Sequence, residues 1–231
     1  ALIKYIKSEY PDNKYTYRFV FAPETIGSIA YLSQHLNYLK EKVICGFNLS
    51  CVGDERAYSH IQSRLGGNLA DQALQASLID LDNVKSYSFL DRGSDERQYC
   101  APGVDLPICG FSRSKYGEYP EYHTSEDNFN VVTESGLNGS FDVMKSIIDS
   151  FELGLIPKNI TICEPQLGKR NLYPTISQKG FNSDINTRMD FLAYADGNHS
   201  LFDISLKIKK NLKLIVSEAI ILKNNNLIFF L

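Results

Sequence analysis

Charge of one sign is what this sequence most conspicuously lacks. Its 24 Lys and Arg stand against 27 Asp and Glu, a net charge of −3, so no strong field toward nucleic acid or membrane is expected. Long apolar runs are missing as well. None approaches the roughly 18–20 residues that span a bilayer, although a hydrophobic content of 43% can build a core. No signal-peptide pattern follows Ala1; since Ala1 is not a Met, the chain reads as part of a longer protein. No C-x-x-C pair occurs. Cys45, Cys51, Cys100, Cys109 and Cys163 are odd in number and scattered, mostly beside apolar stretches, which points to reduced thiols in a cytoplasmic protein. There is no internal repeat. The length of 231 residues suits one large α/β domain, or a domain with a small appendage.

What is present is an alternation of strands and helices. Residues 1–7 read as the end of a helix, 15–22 as an aromatic and β-branched strand, and 26–39 as a helix. Residues 43–52 are mostly apolar and suit a strand buried on both faces of a parallel sheet. The polar stretch 54–67 reads as an exposed loop. A helix over 68–79, strands over 84–90 and 106–112, and a long helix over 141–155 with Ser140 as its N-cap complete the unit. This order predicts a three-layer αβα domain with a mostly parallel sheet over residues 1–157. An irregular linker follows over 158–186, carrying Pro165, Gly168, Pro174 and Gly180. Residues 187–231 give three short helices and a strand, a winged-helix-like module; Ser200 to Asp203 is a capping-box pattern.

Three segments carry candidate chemistry. The first is Phe21 to Ser28, in which Glu24 follows the predicted strand and Gly27 allows a tight turn. Active sites of open α/β sheets lie at the carboxyl ends of strands, where a carboxylate can take a proton from water; equally, Glu24 could simply favour a helix N-terminus. The second is Gly93 to Arg97, holding Asp95, with Arg97 able to fix a substrate carboxylate or to pair with Asp95 on the surface. The third is Tyr119 to Asp127, which sets His123, one of only four histidines, among carboxylates and tyrosines with no helical or strand period. Loops loaded in this way tend to work rather than pack. His35, His60 and His199 fit no motif and read as solvated or capping residues.

Taken in order, these segments resemble the second half of an M28-type zinc aminopeptidase. The resemblance makes Glu24 the general base toward a zinc-held water, His123 a metal ligand and Asp95 a carboxylate that orients the site from behind. Two departures stand out. Thr25 occupies the place of a ligating Glu, and Cys51, in the segment Gly46 to Gly53, that of a ligating Asp. Cys51 or the nearby Asp54 could substitute. Where this chain has Glu96 the family pattern has His. The segments Glu24 to Ser28, Ser94 to Tyr99, Gly117 to Ser125 and Glu164 to Arg170 resemble more closely a divergent group, the DUF4910-type aminopeptidase-like proteins, often linked to polysaccharide biosynthesis.

The resemblance implies a zinc-dependent hydrolase of a small peptide-like or amide substrate. Arg97, Tyr119 and Tyr122 would bind substrate, a tyrosine hydroxyl facing the oxyanion. One zinc ion is expected, with its other ligands upstream of Ala1. The alternative is a catalytically degenerate scaffold on the same fold, favoured by Thr25 and Cys51. For the tail, Lys207, Lys209, Lys210 and Lys213 form a small basic cluster, but no Arg follows Arg188; only weak, salt-sensitive, non-specific DNA binding is expected. The strand over 15–22 would leave an edge open to association between copies. The segment by itself is expected to be inactive and without stoichiometric zinc.

Overall fold

Alternating apolar and β-branched residues build a small sheet, and amphipathic stretches build helices on both of its sides. The computed structural model describes residues 1–173 and 183–231; Pro174 and Gly180 of the predicted linker lie outside them. In chain order the elements are α1 (Leu2–Glu9), α2 (Ile26–Lys42), β1 (Gly46–Leu49), β2 (Tyr58–Ile61), α3 (Leu69–Leu78), β3 (Val84–Tyr87), α4 (Glu96–Tyr99), β4 (Ile108–Ser112), α5 (Glu134–Leu153), β5 (Pro157–Asn159), α6 (Ser183–Tyr194), α7 (Leu201–Ile208), α8 (Leu212–Asn224) and β6 (Ile228–Phe230). They fall into two units, one of Ala1–Leu2 with Thr16–Met144, the other of Ile3–Tyr15 with Lys145–Leu231. Among the described residues no helix is long and apolar enough to cross a membrane.

In the first unit the strand order is β1-β4-β2-β3. β1 runs parallel to β4 and β2 parallel to β3, while β2 and β4 are antiparallel, so the sheet is parallel-rich as expected. Side chains alternate across it. Cys109, Phe111 and His60 point to one face, where α3 sits through the His60–Asp71 contact. Asn48, Ile108 and Gly110 point to the other. There α2 and α4 cover a cluster of Leu32, Leu39 and Leu106 with Tyr31, Tyr99 and Ile108.

Three expectations change. The stretch 54–67 contains β2, a central strand. Its polar residues escaped notice because each has a specific buried partner: Ser59 donates to the Arg113 carbonyl at 2.6 Å and His60 meets Asp71 at 2.8 Å. Residues 15–22, expected as a strand, join none among the described residues, and Phe21 is 86% exposed. The long helix begins at Glu134, not after Ser140. Thr133 is its cap, its Oγ1 accepting from Gly136 N at 3.0 Å, and Ser140 instead donates to the Val52 carbonyl at 2.7 Å. Gly136 and Gly139 lie inside the helix, ahead of the start expected from sequence. In the fold they let α5 pass against the backbone of Gly53 and against Arg113 and Tyr58, where any Cβ would collide.

In the second unit Tyr5 and Tyr10, on or beside α1, both donate to Asp149 Oδ1, at 2.5 and 2.8 Å. The tail follows the expected plan. Ser200 and Asp203 form the capping box of α7, and β5 pairs antiparallel with β6. Arg188 and Glu218 make a buried two-pronged pair at 2.8 and 3.2 Å, and Arg188 also donates to the Leu172 carbonyl.

The Gly136 contact yields a test. Gly136→Ala would drive a methyl into the Gly53 carbonyl, and backbone cannot step aside as a side chain can. We expect at least about 1–3 kcal/mol of destabilisation, typical of overpacking, read as a lower urea midpoint; an unchanged midpoint would show that α5 does not approach this closely.

Candidate active site at the ends of β1 and β4

Two parallel strands deliver the site. Past the end of β1, Ser50 N donates to the Phe111 carbonyl at 3.2 Å and Arg113 N to the Cys51 carbonyl at 2.9 Å, so β1 and β4 stay tied as they leave the sheet. Asp54 then clamps the two exits. It is buried, and it accepts from Ser114 N and Ser114 Oγ, each at 2.8 Å, and from Arg56 N at 2.9 Å. With its lone pairs so engaged, Asp54 reads as a structural clamp rather than a substitute ligand.

Beyond Ser114 the chain folds through successive turns closed by Glu118 N to Lys115 O, Tyr122 N to Tyr119 O, Thr124 N to Glu121 O and Asp127 N to Thr124 O. Arg56 pins this loop with two bonds to Glu121, both 2.8 Å. The Tyr119 ring is buried, and its hydroxyl donates to Asp127 Oδ2 at 3.0 Å with the Cys51 thiol also against it. Burial first, then Cys51 and Asp127, push the Tyr119 phenol well above its ordinary range, so it remains a donor. Tyr122 lies edge-on to Tyr119 at 5.6 Å and stacks on His123 at 4.0 Å. Burial raises its pKa too, followed by the charges of Cys51 and Glu24. Cys51, Tyr119, Tyr122 and His123 thus lie around one loop, and Glu24 is near enough for its charge to act on Tyr122.

The Gly93–Arg97 segment reaches the same place. Asp95 Oδ1 accepts from Thr25 N at 2.7 Å, and Arg97 Nη2 donates to Thr25 Oγ1. Arg97 Nε is buried without a protein acceptor. Asp95 and Arg97 therefore each hold Thr25, and no bond joins them as a surface pair. Sequence reasoning missed the residue between them. Glu96 is fully buried: Oε1 accepts from Gly93 N at 2.9 Å, from Ser94 N at 3.1 Å and from the Tyr116 hydroxyl, and Oε2 accepts from Asn48 Nδ2 at 2.7 Å. Its substitution for a His was the one available clue.

Backbone conformation singles out three residues here. Thr25 has φ 64° and ψ −69°, and Ile26 N donates to the Glu24 carbonyl at 2.7 Å. This is a γ-turn of the rare, strained hand, with a β-branched residue at its centre. Cys51 has φ 52° and His123 φ 59°; His123 holds the turn position at which Gly or Asn is usual. These are the three positions that the motif comparison aligned with metal ligands. Strain of this kind collects at functional sites and persists where its surroundings impose it.

A second group, His60, Asp71 and Cys109, brings ligand-type atoms within 4.8 Å of one another, all buried. The expectation that His60 is solvated or capping is thereby corrected: it is 1% exposed. Asp71 already accepts from His60, Ser63 N, Ser63 Oγ and Asn68 N. Burial would raise its pKa, but the bonds to His60 and Ser63 outweigh this and hold it below the usual range. Burial also drives the Cys109 thiol well above its ordinary value. The group packs α3 against the sheet. His199 caps a turn at Asp196, and His35 packs on Tyr31.

Residues 1–154 match the model of a domain of unknown function, DUF4910, and residues 155–229 that of a winged helix-turn-helix. A Clostridium acetobutylicum protein named "Putative polysaccharide biosynthesis protein with aminopeptidase-like domain" is 37% identical over 201 residues, covering 84% of this chain and 45% of that protein. The crystal structure of a protein from the same organism, described as a "putative peptidase", superposes with a TM-score of 0.80 at 32% identity, over 100% of this chain and 52% of the other. An aminopeptidase from Aneurinibacillus sp. strain AM-1 aligns over 53% of this chain and 29% of its own, at 21% identity and a TM-score of 0.44, too distant to bear on function. The chain spans about half the length of the relatives it matches.

The strained turn is testable. Thr25→Gly relieves a conformation costing about 1–3 kcal/mol, against about 0.5–1 kcal/mol for glycine's greater unfolded-state freedom. The urea midpoint should hold or rise, although the Arg97 bond is lost. A clear fall would mean that the turn is not strained.

Proposed function

The chain belongs to the DUF4910 family, and on that footing we propose that its α/β unit carries part of an aminopeptidase-like, zinc-dependent hydrolytic site acting on a peptide or amide bond. The observation that supports this most is the gathering of Glu24, Asp95, Tyr119, Tyr122 and His123 beyond the carboxyl ends of β1 and β4, with backbone strain at Thr25, Cys51 and His123. The donor set fits a cation. His123 offers an exposed imidazole. Glu24, Asp95, Glu96 and Asp127 form no ion pair among the described residues. Of these, Glu96 is already filled by four donors, which leaves Glu24, Asp95 and Asp127 as carboxylates without a cationic side-chain partner among the described residues, and such groups favour a bound positive charge.

In this reading His123 is the ligand contributed by this chain, with Cys51 nearby against Tyr119, and further ligands come from elsewhere in the full-length protein. Zinc would supply Lewis acidity, which lowers the pKa of a water from 15.7 to about 7. Glu24 takes the proton of the attacking water and returns it to the leaving amine. Asp95 fixes the Thr25 amide and so the direction in which Glu24 points. Tyr122 presents its hydroxyl to the developing oxyanion, and Tyr119, a neutral phenol bonded to Asp127, can do so once that bond is exchanged for the substrate. Arg97, half-buried and bonded to Thr25 through Nη2, would take a carboxylate of the substrate through its remaining guanidinium N–H groups. The five unpaired cysteines are consistent with a cytoplasmic location.

A second reading is a binding or scaffold protein on the same fold, in the polysaccharide setting that one relative's name mentions. Thr25 and Cys51 favour it, since they replace two carboxylates of the usual ligand set. One experiment separates the two. In the full-length protein Glu24→Gln should lower hydrolysis of aminoacyl anilides by about 10²–10⁴-fold, the usual contribution of a general base, while zinc content is unchanged. Retained turnover would remove Glu24 from the chemistry; absence of zinc at every pH would favour the scaffold.

A further inference from the structure

Glu96 is the one carboxylate in this neighbourhood that is fully buried, and it has no cationic partner among the described residues. Each of its four bonding partners donates, and they come from three separate segments. Gly93 N and Ser94 N belong to the loop that carries Asp95. Asn48 lies on β1, three residues before Cys51. Tyr116 opens the loop that continues to Tyr119, Tyr122 and His123. Gly93 itself fits closely under the Tyr116 ring, where a side chain could not enter. Asp95, immediately before Glu96, carries the effect onward through its bond to Thr25 N, the centre of the strained turn that follows Glu24.

A buried carboxylate without its donors is costly, so the three segments are held in register by the need to satisfy Glu96. We infer that Glu96 is the positioning residue of this site: it sets Asp95 against Thr25, and thereby the placement of Glu24 relative to Cys51 and the tyrosine loop. The inference rests on the hydrolytic reading for its kinetic consequence but not for its structural one. Glu96 touches no reacting atom; it acts through Asp95.

Glu96→Gln in the full-length protein tests this. The amide keeps the side-chain volume but removes the negative charge, so the three donors on Oε1 lose a charge-assisted acceptor even if the Asn48 amide turns over to accept from the new NH2. Hydrogen exchange is the first readout. The Thr25 amide should exchange about tenfold faster, as expected for loss of a local closing contact, while the melting midpoint shows that the fold survives. On leucyl and glutamyl p-nitroanilides as probes, kcat should fall about 10–100-fold with KM little changed, the mark of a misplaced group rather than a lost binding contact. If Glu96→Gln does not fold, Tyr116→Phe removes a single donor, and a smaller but measurable rise in Thr25 exchange is expected. Thr25 protection unchanged in the folded variant would overturn the inference, as would an unchanged kcat in a protein that turns these probes over. If wild-type protein hydrolyses neither probe, the hydrolytic reading fails there, and Thr25 exchange alone decides the role of Glu96.

Discussion

A carboxylate shut away from water has to be satisfied by the protein, and the buried Glu96 is satisfied by donors from three parts of the chain. The rest of the site depends on that constraint. The sheet delivers β1 and β4 side by side, but sheet geometry ends at Leu49 and Ser112. Everything past those points is loop, and loops have no repeating hydrogen-bond pattern to fix them. Two buried carboxylates supply the fixation. Asp54 closes the β1 exit onto Ser114, and Glu96 closes the Asp95 loop onto β1 and Tyr116. A full set of donors around each is what makes irregular backbone specific.

That rigidity explains how strain can be kept. A threonine at the centre of the less favourable γ-turn would relax if its neighbours allowed it. Thr25 is held at its amide by Asp95 and at its hydroxyl by Arg97. His123 is likewise held within a closed turn and against the Tyr122 ring. The energy stored at these positions is small beside the stability of the whole fold. It nevertheless sits in the segments that present the candidate base and the candidate ligand, where a displacement near 1 Å can cost about 10²-fold in rate.

Much of this was legible from residue order. Helices with clear amphipathic spacing appear close to where expected, and the Ser200 to Asp203 pattern marks the start of α7. The motif residues are brought together because motifs record local chemistry that tertiary structure preserves. What sequence could not show is polarity that is paid off at a distance. Ser59 and His60 made β2 look like a surface loop, because their partners, Arg113 and Asp71, lie 54 and 11 residues away. The helix start was placed too late, since nothing local reveals that a neighbouring backbone occupies the space a Cβ at Gly136 would need. Glu96 was read only as a departure from a pattern, because its four donors come from Asn48, Gly93, Ser94 and Tyr116. Residues 16–22 have strand-like composition but no strand partner among the described residues, and composition alone cannot supply a neighbour.

The central proposal is that the residues beyond the ends of β1 and β4 bind a cation in preference to the buried His60 group. Diffraction from crystals of the full-length protein grown with zinc, recorded on both sides of the zinc absorption edge, tests it most directly. The account predicts one anomalous peak within coordination distance of the His123 imidazole. A peak between His60, Asp71 and Cys109, or none anywhere near His123, would contradict it.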